Sequence, residues 1–116
     1  PTIIEDPAGA VTALGSGGSN RIRSAVAQVI ARLSIDGADL AAAVDAPRVH
    51  VERGHLDFED RVGAALRERL CSEFPDHRAW PQPDLFYGGV HTVRRTANGT
   101  FWGAGDSRRD GVAIVV

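Results

Sequence analysis

Leu14 to Leu33 reads LGSGGSNRIRSAVAQVIARL, an apolar run that breaks into small residues and opens directly into an amphipathic helix. Ile22, Val26, Val29, Ile30 and Leu33 fall on one helical stripe, with Arg21, Arg23, Gln28 and Arg32 mostly off it. This spacing predicts a helix buried on one side and wet on the other. Ser19 and Asn20 are good N-caps, and Asp36-Gly37 marks the helix end. Gly15-Ser16-Gly17-Gly18-Ser19 therefore sits where free backbone N–H groups meet the positive end of a helix dipole, a place that favours a negative charge.

Several readings of that loop compete. A phosphate-binding P-loop needs a lysine after its last glycine, and all 13 basic residues here are arginine, so that reading fails. A dinucleotide fingerprint has Gly15-x-Gly17 after a strand and Asp36 at a suitable distance. However, Asn20 occupies its third glycine position, and the helix leaves no room for the second strand. An oxyanion hole, in which adjacent backbone N–H groups face the oxygen that turns negative during acyl transfer, suits the loop. So does a plain glycine turn between strand and helix.

Around this unit the chain reads as α+β. Thr2 to Glu5 predicts a strand, Asp6-Pro7-Ala8-Gly9 a turn, and Ala10 to Leu14 a second strand. Asp39 caps a short helix through Val44, which Pro47 keeps from running far past Asp45. Val49 to Glu52, Arg53-Gly54 and His55 to Phe58 form a hairpin. Glu59 to Phe74 predicts the second long helix, with Val62, Ala65, Leu66, Arg69, Leu70 and Phe74 on a mostly apolar stripe. Arg69 extends its stem along the core rim, and Pro75 stops the helix. Pro75 to Gly89 holds three prolines and no period, and reads as a loop packed down by Trp80, Phe86 and Tyr87. Val90 to Arg95 and Thr100 to Gly103 flank Asn98-Gly99 as a hairpin, which also explains the Asn98-Gly99-Thr100 glycosylation pattern. Val112 to Val116 is an unbroken apolar run, the pattern of a strand buried on both faces.

A chain of 116 residues is a single domain with one modest core. Its 13 arginines and 15 acids are scattered and leave a net charge of −2, so no nucleic-acid footprint is visible. No apolar run reaches membrane-spanning length and no signal peptide is present. Cys71 stands alone, which excludes an internal disulfide and a cysteine zinc site and suggests a small core residue. His50, His55, His77 and His91 lie on different elements without one-turn spacing, so no metal site is expected. Ser16, Ser19 and Ser24 have no histidine close in sequence and lack the tight elbow of a hydrolase nucleophile. Asp106 to Asp110 reads as a solvated loop with local Asp–Arg pairs. The absence of methionine, even at position 1, suggests a processed or excised piece.

Four segments, GSGGSNRIRSAVAQVI, DLAAAVDAPRVHVE, GGVHTV and GAGDSRRDGVAIVV, resemble in order the C-terminal part of the small subunit of the γ-glutamyltranspeptidase (glutathione hydrolase) family. The resemblance runs from Pro1 to Val116 and is weakest across Ser72 to Leu85. It implies part of the αββα sandwich of an N-terminal nucleophile hydrolase, with two long helices and antiparallel strands. It also implies a precursor that cuts itself to expose a threonine, whose own α-amino group is the base. Attack on a γ-glutamyl carbonyl then gives an acyl-enzyme that water or an acceptor amine resolves.

That threonine, the substrate-binding serines and the aspartate that holds the substrate's amino group belong to segments upstream of this chain. The implied partners are therefore the large subunit, the N-terminal part of the small subunit and a γ-glutamyl small molecule, with no metal or organic cofactor. Matched through Arg21-Ile22, the family's glycine pair falls on Gly18 and Ser19; shifted by one, it falls on Gly17 and Gly18. The oxyanion donors are thus sought among Gly17, Gly18 and Ser19. The match at Asp106-Ser107-Arg108 implies a structural role for Asp106 and Arg108, such as pinning the last strands. The alternative is a non-catalytic scaffold or assembly module whose glycine loop is only a turn. On either reading the long apolar run predicts self-association of the isolated chain.

Overall fold

The computed structural model describes all 116 residues. Its elements are β1 (Thr2–Glu5), β2 (Val11–Ser16), α1 (Arg21–Ser34), α2 (Leu40–Asp45), β3 (Val49–Glu52), β4 (His55–Glu59), α3 (Ala64–Glu73), β5 (His77–Trp80), β6 (Val90–Arg95) and β7 (Phe101–Ala104), with 3-10 turns at Leu85–Tyr87 and Ser107–Arg109. The strands form two sheets. One is antiparallel in the order β1-β2-β6-β7; in the other, β3-β4-β5, β4 pairs antiparallel with β3 and parallel with β5.

The stripe of α1 is buried against the first sheet, as its period predicts. Ala25 and Val29 of α1, Ala43 and Val44 of α2, Leu14 of β2, Val90 of β6 and Ala104 of β7 form the core, and Val26, Ile30 and Leu33 pack against it. Burying one Val or Leu side chain is worth about 1.5–3 kcal/mol, so packing rather than capping holds this helix. The expected N-cap is not made: Asn20 is itself in helical conformation (φ −55°, ψ −27°), and its amide donates to Glu52 Oε1 at 2.6 Å instead. Gln28 leaves the back of α1 to clamp the edge strand β3, donating to Val49 O at 2.8 Å and accepting from Val49 N at 2.9 Å. Asp39 caps α2 through Ala42 N, as expected.

Elsewhere the structure corrects the sequence reading. The second long helix does not begin at Glu59: β4 runs through that residue, and α3 starts at Ala64. Glu59 is wholly buried among arginines, which fixes it at a strand end. The apolar stripe of α3 meets no partner. None of its residues is buried, Leu66 is 45% exposed, Cys71 is half-buried rather than core, and Arg69 pairs with Glu73 at 3.3 Å instead of lining a core rim.

Pro75 to Gly89 is not all loop, because His77–Trp80 adds to the open edge of β4. Its aromatics do pack it down: Trp80 stacks on Phe86 at 4.7 Å, and Tyr87 is buried. Val112 to Val116 forms no strand and is not buried, with Val112 and Ile114 each 81% exposed. The run pairs with no neighbouring strand, so no ladder defines it. It lies along the first sheet, with Ala113 Cβ 2.8 Å from where a Cβ on Gly103 would stand.

Candidate functional site

The glycine loop leaves β2 and enters α1 with Gly17, Gly18 and Ser19 all exposed. Gly18 has φ +136°, a conformation that side chains rarely allow, and a Cβ there would meet nothing within 4 Å. The N–H groups of Gly18 and Ser19 donate to no protein acceptor, so they stand free at the positive end of α1. Behind the loop the packing is tight. A Cβ on Gly88 (φ +68°) would stand 2.8 Å from Gly17 O and 2.9 Å from Ser16 Oγ, so only glycine lets the two loops meet. Arg109 Nη2 donates to Gly17 O at 3.1 Å from the same side. The loop is thus backed by protein and open in front, an arrangement that can hold an oxyanion.

Asp106 and Arg108 are not in a solvated loop: both are buried, together with Arg48 and Glu59. Arg108 grips Glu59 with Nε and Nη2 and reaches Asp106 Oδ1 with Nη1 at 3.1 Å. Arg48 Nη2 donates to Asp106 Oδ2 at 2.8 Å. Asp106 Oδ2 also accepts Val90 N at 2.8 Å, which carries the network to the start of β6. Burial alone would raise the Asp106 carboxyl; the Val90 and Arg108 amides and the two guanidiniums outweigh it and hold it below the usual carboxylate value. Burial also opposes the charge on Arg108, but the hydrogen bonds and charge of Glu59 raise its pKa overall. Arg48 is lowered, first by burial and then by the charge of Arg108. Arg48, Glu59 and Gly88 carry no local sequence signal, because their partners lie far along the chain.

The histidines stay dispersed, and no group of three or more His, Cys, Asp or Glu side chains is placed to hold a metal. His50 Nδ1 does meet Ser24 Oγ at 2.8 Å, a pairing with no trace in the sequence spacing. Ser24 Oγ lies within donating distance of both Arg21 O, at 3.1 Å, and His50 Nδ1, and the imidazole tautomer sets which of them takes its proton. His50 Nε2 is buried without a hydrogen-bond partner, 3.6 Å from Glu52 Oε2.

The family described as gamma-glutamyltranspeptidase matches residues 1–116. The acylase ACY 1 proenzyme of Pseudomonas sp. (strain SE83) is 32% identical over 104 residues, which cover 90% of this chain and 18% of that protein. A second acylase ACY 1 proenzyme, from strain V22, is 31% identical, and again the chain spans 18% of the relative's length. Among solved structures, Bacillus anthracis transpeptidase enzyme CapD superposes with a TM-score of 0.83 at 21% identity, covering 100% of this chain and 69% of that one. A Helicobacter pylori gamma-glutamyltranspeptidase mutant gives a TM-score of 0.77 at 27% identity, covering 93% and 59%. The α+β fold, with its mostly antiparallel pairing and few helices, is shared with these solved transpeptidases.

Proposed function

Because the chain belongs to the γ-glutamyltranspeptidase family, we propose that it is the C-terminal part of the small subunit of an enzyme that cleaves γ-glutamyl amides through an acyl-enzyme, and that its glycine loop supplies the oxyanion hole. The observation that carries this reading is the pair of adjacent, unpartnered N–H groups on Gly18 and Ser19, exposed at the head of α1 on a loop backed by Gly88. When a threonine from the preceding part of the enzyme attacks the substrate carbonyl, charge gathers on the oxygen. The Gly18 N–H and a neighbour, from Gly17 or Ser19, receive it, and the dipole of α1 adds to the field. Serine in place of the family's second glycine is compatible with this role because the donors are backbone groups. Asp106 and Arg108, with Glu59 and Arg48, hold the last strands in register behind the loop.

The proposed partners are the large subunit and the N-terminal part of the small subunit. The outer face of the first sheet, where Val93 and Phe101 are about half exposed beside the Val112 to Val116 run, is the surface for them. The curated relatives are named acylases, which favours a second reading in which the same donors serve acyl amides more broadly than γ-glutamyl ones.

Gly18→Pro removes the N–H and, because proline holds φ near about −65° against the +136° of Gly18, also reshapes the loop. In the processed enzyme, turnover of a γ-glutamyl anilide should fall by about a hundred- to a thousandfold. A glutaryl anilide assayed in parallel separates the two substrate classes. Unchanged turnover by a folded variant on both anilides would leave the scaffold reading in place of the catalytic one.

A further inference from the structure

We propose that Arg109 is a positioning residue for the oxyanion hole: by donating to the Gly17 carbonyl it fixes and polarises the Gly17–Gly18 peptide, so that the Gly18 N–H faces the reacting oxygen. The inference rests on the loop's role as proposed above. A trans peptide unit is a rigid plate, with the C=O of one residue and the N–H of the next pointing in opposite directions. Whatever holds Gly17 O from behind therefore aims Gly18 N–H forward. The plate has little internal restraint, since glycines flank it, Gly18 has φ +136° and nothing would touch a Cβ on Gly18 within 4 Å.

The restraint comes from outside. Gly88 crowds Gly17 O, where a Cβ would stand 2.8 Å away, and Arg109 Nη2 donates to it at 3.1 Å. Arg109 makes no other side-chain hydrogen bond. Its stem lies across Gly89, where a Cβ would stand 3.0 Å from Arg109 Cγ and Cδ and 3.1 Å from its Cβ. Its own backbone is tied down by Arg109 N donating to Asp106 O at 3.1 Å, next to the buried ion network. The Gly88-Gly89 pair thus serves one residue each: the first lets Gly17 approach, and the second leaves a track for the arginine stem. A cation on the carbonyl draws electron density through the amide and makes the N–H at the far end a stronger donor. The guanidinium contacts the carbonyl end of the peptide, opposite the Gly18 N–H that would face the reacting oxygen.

The test uses the processed enzyme containing this chain, assayed with a γ-glutamyl anilide and, in parallel, a glutaryl anilide. Arg109→Ala should lower kcat by about tenfold, less than the loss of a donor itself, with KM within about twofold and the unfolding midpoint unchanged. Arg109→Lys and added guanidinium ion should each restore part of the loss. Gly89→Ala removes no charge and meets no backbone strain, but it displaces the arginine stem, so it should reproduce the kcat loss. The Arg109→Ala/Gly89→Ala double variant should be no worse than the more impaired single one. Gly18→Pro separates the two claims. If it abolishes turnover while Arg109→Ala and Gly89→Ala turn over as wild type, Arg109 has no positioning role and the loop reading stands. If none of the three changes turnover, both fall. A loss at Arg109 that comes with a raised KM or a lowered unfolding midpoint, and that neither lysine nor guanidinium relieves, would make the contact merely structural and overturn the proposal.

Discussion

Arg108 and Glu59 meet in a two-pronged ion pair, Nε to Oε1 at 2.6 Å and Nη2 to Oε2 at 2.5 Å, with neither side chain exposed. Arg108 follows the last strand of the first sheet, and Glu59 ends the middle strand of the second, so the pair fastens one sheet to the other. Asp106 and Arg48 complete it, and the formal charges of the four side chains cancel. Arg48 Nη2 also reaches Val44 O at 2.9 Å, and Arg108 Nη2 reaches Ala46 O at 3.0 Å. Both guanidiniums therefore sit at the negative end of α2.

Removing one member of such a group strands the others in a buried site. Glu59→Gln leaves two buried guanidiniums facing a single carboxylate and should cost about 3–5 kcal/mol of stability. Arg108→Lys keeps the charge but loses the fork that matches the carboxylate, and should also destabilise. Denaturant unfolding of the assembled enzyme measures both. A loss below about 1 kcal/mol for Glu59→Gln would show that the network is not the fastening argued here.

Asp106 carries this network into the pH dependence of stability. Its carboxyl in the folded chain lies below its ordinary value, so the unfolded state takes up the proton first. The stability it contributes is fully present above the unfolded value of about 4 and is lost as pH falls through the lower folded value. Asp106→Asn should flatten the acid limb of the stability curve while lowering stability near neutral pH. An acid limb of the same slope in Asp106→Asn and wild type would assign the acid sensitivity to other carboxyls.

What the sequence disclosed was local. Asp39 three residues before Ala42 N, the Asp6 to Gly9 turn and Asn98-Gly99 each specify their own geometry within a few residues, and the strands and helices they bound are where expected. What it concealed depends on distant partners. β5 shows no alternation because its pairing with β4, Leu56 opposite His77, is set across α3. The apolar positions of α3 and of Val112 to Val116 match buried patterns, yet a pattern does not supply the surface that would cover it. Gly17 to Ser19 are proposed as oxyanion donors from the free N–H groups of a helix-opening glycine loop and from their resemblance to a family motif. The residues behind them, Gly88 and Arg109, come from loops about 70 and 90 positions further on, and nothing in their local spacing points to Gly17.

The outer face of the first sheet sets the behaviour of the isolated chain. Ile3, Val93, Phe101, Val112 and Ile114 are exposed together with the rest of the apolar tail, and exposed apolar surface of this kind favours association. The chain on its own should self-associate, and Val93→Lys with Phe101→Lys should weaken that association without unfolding α1 from the opposite face. A single monomeric species in sedimentation at high concentration would refute the prediction.

The same isolated chain should have no γ-glutamyl hydrolase activity above background, although it carries the loop proposed to hold the oxyanion. An oxyanion hole stabilises charge only after a nucleophile has attacked, and positioning of the substrate must come first. Ser24, the serine with a histidine beside it, lies on α1 with its hydroxyl within reach of both Arg21 O and His50 Nδ1, outside the Gly17 to Ser19 loop. Release of the chromophore from a γ-glutamyl anilide measures the outcome, with a full-length relative as the control. Sustained turnover that disappears on Ser24→Ala would place a nucleophile within this chain and reverse its assignment as the part of the active site that receives charge.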